Sequence, residues 1–447
     1  MTGCQWIASM RARPPIVLVV VDTLRADHLG LYGYERPTSP RLDAWSKGAA
    51  VFDWAFSASP WTLTSFGSIY TGQLPSRHGA GIVLSAGNPT QGATMLGGAP
   101  KSFGGLNPSV PTLAEILAGQ GYTTAAVVNN PFLHPLFGIA RGFQSYDYVP
   151  GSNETIRRAD VVVDKSLAWV EAHRSQPFFL LVHFIDVHMN YDAPPPFRGR
   201  FTAGIQSRAS LPVRGPARIR EFAPTLPPAD RAFVAAAYDE EIAFVDDQVG
   251  RLLDGLRKLQ VPERGLIVVT ADHGEELFDH DGFEHGHSVY DELLHVPLLV
   301  EGAGVRPGRQ ITPVSLVDVM PTVLDAVGVP VPAGLAGVSL WPSLTGRAEV
   351  PRRDLFAERL LYGTEQKAVI HWPDKLVIGP GEGQQRLFDL SRDAAERNDL
   401  SGREPQQVLA LAQEANDVFA AAHKGPPPTA AIDAATQEKL HALGYGD

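Results

Sequence analysis

The sequence is poor in cysteine, in basic residues and in long apolar runs. Its 447 residues include one cysteine, Cys4, which excludes an internal disulfide and a zinc site built on several thiolates. Lysine and arginine number 38 against 49 aspartates and glutamates, a formal net charge of −11, so the surface repels polyphosphate backbones and nucleic acid is not expected as a partner. No run reaches the roughly 20 apolar residues of a transmembrane helix.

The remaining composition is that of a large globular protein. Hydrophobic residues make up 44% of the chain and charged residues 19%, which predicts an extensive core and little disorder. Residues 1–14 are expected to be a leader or disordered. They lack the pattern of a signal peptide, which favours a cytoplasmic location. Small residues before Cys4 also resemble the end of a lipoprotein signal, so a periplasmic or lipid-anchored location stays open, as does the oligomeric state.

Three continuous apolar runs read as parallel strands buried on both faces: 16–21, 178–185 and 266–270. Helical patterns with a period of 3.6 residues lie between them, at 159–173 and 230–259. This alternation predicts an α/β fold with a mostly parallel central sheet and helices on both faces. Polar residues follow each run, and the carboxyl ends of such strands are where ligands bind. We therefore expect Asp22, Asp186, His188, Asp272 and His273 to converge on one crevice.

The pattern changes to short alternating pieces after about residue 347. Candidate strands at 367–370, 375–378 and 386–390 precede a candidate helix at 405–423. This predicts a catalytic domain over 15–346 and a small α+β C-terminal subdomain over 347–447. Two long segments rich in glycine and proline, 85–105 and 201–228, are expected to be surface excursions that shape access to the site.

Asp272-His273 directly after a strand is the most informative pair, because a carboxylate and an imidazole at a strand end can both bind a divalent cation. His273, His280, His285 and His287 fall within fifteen residues. Thr62 precedes a helical stretch, where a threonine most often acts as an N-cap. A hydroxyl at that position also lies where an anion binds and where a metal would make it a nucleophile, and the two interpretations are compatible.

These motifs together resemble the sulfatases of the alkaline phosphatase superfamily. The resemblance extends over nearly the whole chain and is carried by Val19–Arg25, Leu74–Gly79, Gly121–Ala125, His183–His188, Asp272–Glu275, His285–Tyr290, His295–Pro297, Asp318–Thr322 and Arg386–Leu390.

The resemblance implies roles for individual residues. Asp22, Asp272 and His273 would bind one divalent ion, Ca²⁺, Mn²⁺, Mg²⁺ or Zn²⁺, together with the nucleophile Thr62. His188 matches the histidine that faces the leaving group, a general acid, and His287 falls where these enzymes usually carry a lysine that grips the sulfate. Asn130 and His285 are expected to bind substrate. A second ion, held by Asp186, His188 and His287, is the less favoured alternative.

The departures from the family pattern concern the nucleophile and its surroundings. The formylglycine of sulfatases is made from Cys or Ser, with Pro two and Arg four positions later, whereas this chain has Thr62, Thr64 and Phe66. Threonine does not undergo that modification. We therefore expect a metal-dependent hydrolase of small anionic esters with Thr62 as covalent nucleophile, phosphoesters somewhat ahead of sulfate esters. A phosphoryl or phospho-alcohol transferase and a non-catalytic anion-binding relative are the alternatives.

Overall fold

The structure is a computed structural model that describes residues 13–82, 103–149, 157–381 and 383–420. Cys4, most of the predicted excursion at 85–105 and the end of the C-terminal region lie outside the described residues, as does nearly all of the predicted leader. The described part contains no helix long and apolar enough to cross a membrane.

The strands are labelled in the order in which they occur along the chain. They are β1 (Ile16–Val21), β2 (Ala50–Phe56), β3 (Gly81–Ile82), β4 (Phe103–Gly104), β5 (Thr123–Asn129), β6 (Ser145–Val149), β7 (Phe178–Phe184), β8 (Leu266–Ala271), β9 (Glu276–Leu277), β10 (Phe283–Glu284), β11 (His295–Gly302), β12 (Gly308–Gln310), β13 (Val314–Ser315), β14 (Leu355–Ala357), β15 (Lys367–His371), β16 (Asp374–Ile378) and β17 (Gln385–Asp389).

The α-helices are labelled in the same way. They are α1 (Pro40–Trp45), α2 (Thr62–Thr71), α3 (Pro75–His78), α4 (Leu113–Gly119), α5 (Ala159–His173), α6 (Pro216–Phe222), α7 (Pro228–Lys258), α8 (Val261–Arg264), α9 (Asp291–Leu294), α10 (Val319–Ala326), α11 (Trp341–Leu344) and α12 (Pro405–Ala420).

The main sheet has the strand order β12-β2-β11-β8-β1-β7-β5-β6, with β13 beside β2. All pairs are parallel except those of β11 with β2 and β8, which are antiparallel. The predicted α/β fold with a mostly parallel sheet flanked by helices is confirmed. The central strands are buried throughout, as expected for apolar runs covered on both faces.

The register of the central strands aligns their carboxyl ends. Val21, the last residue of β1, lies opposite Phe184 of β7 on one side and Ala271 of β8 on the other. The residues that follow β1 and β8 are Asp22 and Asp272, so the two carboxylates leave adjacent strands at the same level. Strand β5, next to β7, ends at the same edge of the sheet because the three pairs are parallel.

Helix α2 crosses this edge and is buried along its whole length. His78 packs so closely on it that a Cβ at Gly67 would lie 2.4 Å from the imidazole, which explains a glycine in the middle of a helix. Gly72 ends the helix in the left-handed conformation, with φ 63°.

The predicted small C-terminal α+β region is present as a separate antiparallel sheet, β14-β15-β16-β17, with α12 against it. Its other face shares an apolar cluster with the region of the main sheet, and this cluster includes Phe56, Val289 and Leu294 on one side and Ile370 and Phe388 on the other. The position of the domain boundary, between residues 346 and 347, stays a prediction.

Candidate active site

Asp22, Asp272 and His273 meet where β1 and β8 end. His273 Nε2 lies 3.6 Å from Asp22 Oδ1 and 3.5 Å from Asp272 Oδ2, and all three side chains are fully buried. The backbone fixes Asp272, because its Oδ1 accepts hydrogen bonds from the amides of His273 (2.9 Å) and Thr23 (3.3 Å). His273 Nδ1 is hydrogen-bonded to the carbonyl of Gly274 at 2.9 Å, so Nε2 faces the carboxylates.

This group fits a divalent cation. One ligand atom from each residue lies within 4.8 Å of the others, the one such group found in the described part of the chain. Asp22 Oδ1 and Asp272 Oδ2 are buried and have no hydrogen-bond partner. Because unpaired buried carboxylate oxygens are costly, a cation between them would satisfy both.

Thr62 is the first residue of α2, and its hydroxyl faces the same group. Thr62 Oγ1 lies 3.3 Å from His273 Nε2 and accepts a hydrogen bond from Asn130 Nδ2 at 3.3 Å. The residue preceding the helix is Trp61, so the Thr62 side chain does not cap α2. The first turn of α2 also contacts the residue that follows β8, because Ser65 Oγ donates a hydrogen bond to the carbonyl of Asp272 at 2.6 Å.

Asn130 follows β5, and its side chain bridges the Asp22 carboxylate and the Thr62 hydroxyl. Its Nδ2 also donates to Asp22 Oδ2 at 2.7 Å, and its Oδ1 accepts from the amide of Phe132 at 2.8 Å. The backbone of Asn130 has φ 127°, an uncommon conformation for a residue with a side chain. Such strain is found where the surrounding structure fixes a functional side chain.

The two carboxylates differ in their pKa values. Burial raises the pKa of Asp22, but the nearby imidazoles of His183, His188 and His273 outweigh it and bring the value down to about 2. Burial and the charge of Asp22 raise the pKa of Asp272 well above its usual range. Burial lowers the pKa of His273 to about 4, which keeps this imidazole neutral at pH 7.

His188 and His285 line the next part of the site. The His285 ring packs on His273 with centroids 4.5 Å apart, and on His188 at 5.0 Å. His188 Nδ1 is bonded to the carbonyl of Met189 at 2.7 Å. His285 Nδ1 is bonded to Glu275 Oε1 at 2.8 Å, and burial lowers the His285 pKa well below its usual value.

Two predicted residues lie apart from Thr62. His287 Nε2 is bonded to Glu276 Oε2 at 2.6 Å and the ring stacks on Tyr362, so it borders the hairpin β9–β10. Its predicted contact with the substrate anion stays a prediction. Asp186 caps α5 instead of facing the crevice, since its Oδ1 accepts from the amide of Ala159 at 2.9 Å.

Sequence reasoning missed several neighbours of the site. His183 belongs to the apolar run of β7, yet its Nε2 lies 3.4 Å from Asp22 Oδ2, and neither ring nitrogen has a hydrogen-bond partner among the described residues. Phe66, where the family carries arginine, packs edge-on against that ring at 5.3 Å. Glu275 and Tyr191 were also missed, although Glu275 belongs to the Asp272–Glu275 motif.

Comparison with known proteins identifies the family. A sulfatase family model matches residues 14–329. The Δ4,5-hexuronate-2-O-sulfatase of Bacteroides thetaiotaomicron is 22% identical, with 99% of this chain and 96% of the relative covered, and arylsulfatase K of Gallus gallus is 24% identical, with 90% and 81% covered. The phosphonate monoester hydrolase of Agrobacterium radiobacter has a similar fold, with a TM-score of 0.71, 18% identity, and 91% and 96% covered. The chain belongs to the sulfatase family.

Proposed function

We propose that this sulfatase-family hydrolase cleaves phosphoesters or sulfate esters through a covalent intermediate on Thr62, with phosphoesters favoured. The position of the Thr62 hydroxyl carries the proposal. It lies at the N-terminus of a ten-residue helix, 3.3 Å from both His273 Nε2 and Asn130 Nδ2. A helix N-terminus and an amide donor both favour an anion at that place.

The roles of the surrounding residues follow from their contacts. A divalent cation bound by Asp22, Asp272, His273 and Thr62 would supply positive charge against the transferring group and favour ionisation of the hydroxyl. Thr62 Oγ1 attacks the phosphorus or sulfur, and Asn130 Nδ2 holds an oxygen of the transferring group. His188 gives the leaving alcohol its proton. A water then releases the group from Thr62.

The choice between esters rests on the nucleophile. An unmodified threonine forms a stable ester with a phosphoryl group, and this chain lacks the formylglycine pattern because Thr64 and Phe66 stand where that pattern has proline and arginine. A neighbour named as a phosphonate monoester hydrolase is in keeping with phosphorus chemistry. Sulfate esters are the second candidate, favoured by the sulfatase names of the curated relatives.

The test compares hydrolysis of an aryl phosphate monoester, a phosphodiester and an aryl sulfate by the metal-loaded protein. Thr62→Ala should lose activity, and Thr62→Ser, which keeps a hydroxyl, should retain part of it. The control is Thr71→Ala in the same helix, because the Thr71 hydroxyl donates to the Gly67 carbonyl far from the carboxylates. Full activity of Thr62→Ala would refute the nucleophile. A clear preference for the sulfate would overturn the order of the two esters.

A further inference from the structure

We propose that Tyr238 is a positioning residue of the candidate cation site. Its hydroxyl fixes the turn after β1 (residues 22–25) in a strained conformation, and this turn orients the carboxylates of Asp22 and Asp272. Tyr238 lies in the first half of α7 and is fully buried. The inference rests on the proposed function, because it concerns the cation that Asp22, Asp272 and His273 would bind.

The turn after β1 has an unusual backbone conformation at Thr23. Its φ is 57°, in the left-handed region, which is rare for a residue with a branched Cβ because the side chain crowds the backbone. The Thr23 hydroxyl is buried and has no hydrogen-bond partner among the described residues, so the side chain does not hold this conformation. Contacts from other elements therefore stabilise it.

The Tyr238 hydroxyl bonds to both sides of this turn. It donates a hydrogen bond to the Thr23 carbonyl at 2.7 Å and accepts one from the amide of Arg25 at 3.0 Å. A phenol hydroxyl can do both at once, because it is a donor and an acceptor. The ring is also held in place, since it packs edge-on against His28 with centroids 5.2 Å apart and against Tyr191 at 5.7 Å.

The orientation of Thr23 bears directly on the candidate cation site. The Thr23 amide donates to Asp272 Oδ1 at 3.3 Å, which leaves Asp272 Oδ2 for the cation. The Asp22 amide donates to the Phe184 carbonyl at 2.8 Å and continues the pairing of β1 with β7. The sheet therefore fixes the peptide before Asp22, whereas Tyr238 fixes the chain after it. Replacing a residue that orients metal ligands commonly weakens metal binding by about 10- to 100-fold.

The variant that tests this role is Tyr238→Phe, which removes the hydroxyl and keeps the packing of the ring. The matched control is Tyr122→Phe, because Tyr122 is also buried but its hydroxyl has no hydrogen-bond partner among the described residues. A double variant adds Thr23→Gly to Tyr238→Phe, since glycine adopts φ 57° without a Cβ penalty. Each protein is freed of metal with EDTA, shown to be folded by circular dichroism, and titrated with Ca²⁺, Mn²⁺, Mg²⁺ and Zn²⁺ by calorimetry.

We expect Tyr238→Phe to bind the ion that wild type binds most tightly about 10-fold more weakly, because the turn no longer holds the two carboxylates in place. Tyr122→Phe should bind this ion as wild type does. The double variant should recover most of the lost affinity, since the turn no longer needs the hydroxyl to overcome strain at residue 23. A purely structural role of Tyr238 would lower the unfolding temperature and leave the affinity of the folded protein unchanged.

Other results separate this inference from the proposed function. Equal affinity of Tyr238→Phe and wild type would overturn the inference. A double variant that binds no more tightly than Tyr238→Phe would also overturn it, because the effect would then not pass through Thr23. If wild type binds none of the four ions, the cation site of the proposed function is refuted, and the inference with it. Activity of Thr62→Ala would instead refute the nucleophile and leave the measured affinities unaffected.

Discussion

At the scale of single residues, Asn130 combines a strained backbone with a side chain that bridges Asp22 and Thr62. We predict that Asn130→Ala and Asn130→Gly both lose about 100-fold or more in kcat/KM, because each removes the proposed donor to the transferring group. Their stabilities should differ. Glycine accepts φ 127° without a Cβ penalty, so Asn130→Gly should unfold at a higher temperature than Asn130→Ala. Thermal unfolding and aryl ester kinetics measure the two effects, and equal stability of the variants would argue against backbone strain.

Asp272 gives a prediction about the candidate cation site. Since burial and Asp22 raise its pKa, an ionised Asp272 destabilises the metal-free protein, whereas a neutral amide does not. Asp272→Asn should therefore be more stable than wild type in EDTA at pH 8. Added Ca²⁺, Mn²⁺, Mg²⁺ or Zn²⁺ should raise the unfolding temperature of wild type and leave that of the variant unchanged. Equal stabilisation of both proteins by an ion would place the cation elsewhere.

At the scale of elements, Asp186 joins the end of β7 to the start of α5. Burial raises its pKa from 3.8 to about 7, so the stability it contributes is fully present below about pH 4, its unfolded pKa, and is lost as the pH rises through about 7. Asp186→Asn keeps the acceptor for Ala159 N and cannot ionise. It should match wild type at pH 4 and be more stable by on the order of 3 kcal/mol at pH 8.

Chemical denaturation at several pH values measures this difference. The control is Asp164→Asn on the same helix, whose side chain is 70% exposed and pairs with Arg251 at the surface, so it should show little pH-dependent change. A constant difference between Asp186→Asn and wild type from pH 4 to pH 8 would contradict the raised pKa.

The same elements show how far sequence can predict this site. The apolar runs predict β1, β7 and β8, and parallel register then brings Asp22 and Asp272 together. In the sequence, Asp186 follows an apolar run just as Asp22 and Asp272 do, yet its side chain caps α5. The apolar pattern of a strand does not determine the path of the chain after the strand ends. The Glu275–His285 pair depends on the hairpin β9–β10 and the turn after it, where Glu284 has φ 70° and Gly286 φ 84°. Such loop conformations follow from tertiary packing and leave no periodic signal.

At the scale of the whole molecule, the C-terminal region contacts the segment that carries Thr62 in addition to forming its own core. The carbonyl of Arg359 accepts from Trp61 Nε1 at 2.6 Å, and Glu358 Oε1 accepts from the amide of Ser76 at 2.7 Å. The first contact reaches the residue before Thr62, and the second reaches α3, the helix that follows α2. The attachment of this region should therefore affect the geometry of the site.

A buried ion cluster fixes that attachment. Lys375 Nζ of β16 lies 2.6 Å from Asp291 Oδ1 of α9 and 3.0 Å from Glu396 Oε1, and Glu396 Oε2 accepts from the Asp291 amide at 2.6 Å. Lys375 is fully buried. Burial raises the pKa of Glu396 to about 8, although Lys375 opposes this rise. In this cluster the Lys375 ammonium is therefore the cation that balances the carboxylates of both Asp291 and Glu396.

We predict that Lys375→Met lowers the free energy of unfolding at pH 8 by about 3–5 kcal/mol, because it leaves two buried carboxylates without their cation. Adding Glu396→Gln should recover part of this loss, since it removes one of the uncompensated charges. Chemical denaturation measures both, with Lys165→Met as control, because Lys165 forms an exposed pair with Asp147 and should change stability by less than about 1 kcal/mol. If Lys375→Met is as stable as wild type, packing of the shared apolar cluster alone holds the two regions together. If the double variant is less stable than Lys375→Met, the hydrogen bond from the Asp291 amide outweighs the charge of Glu396.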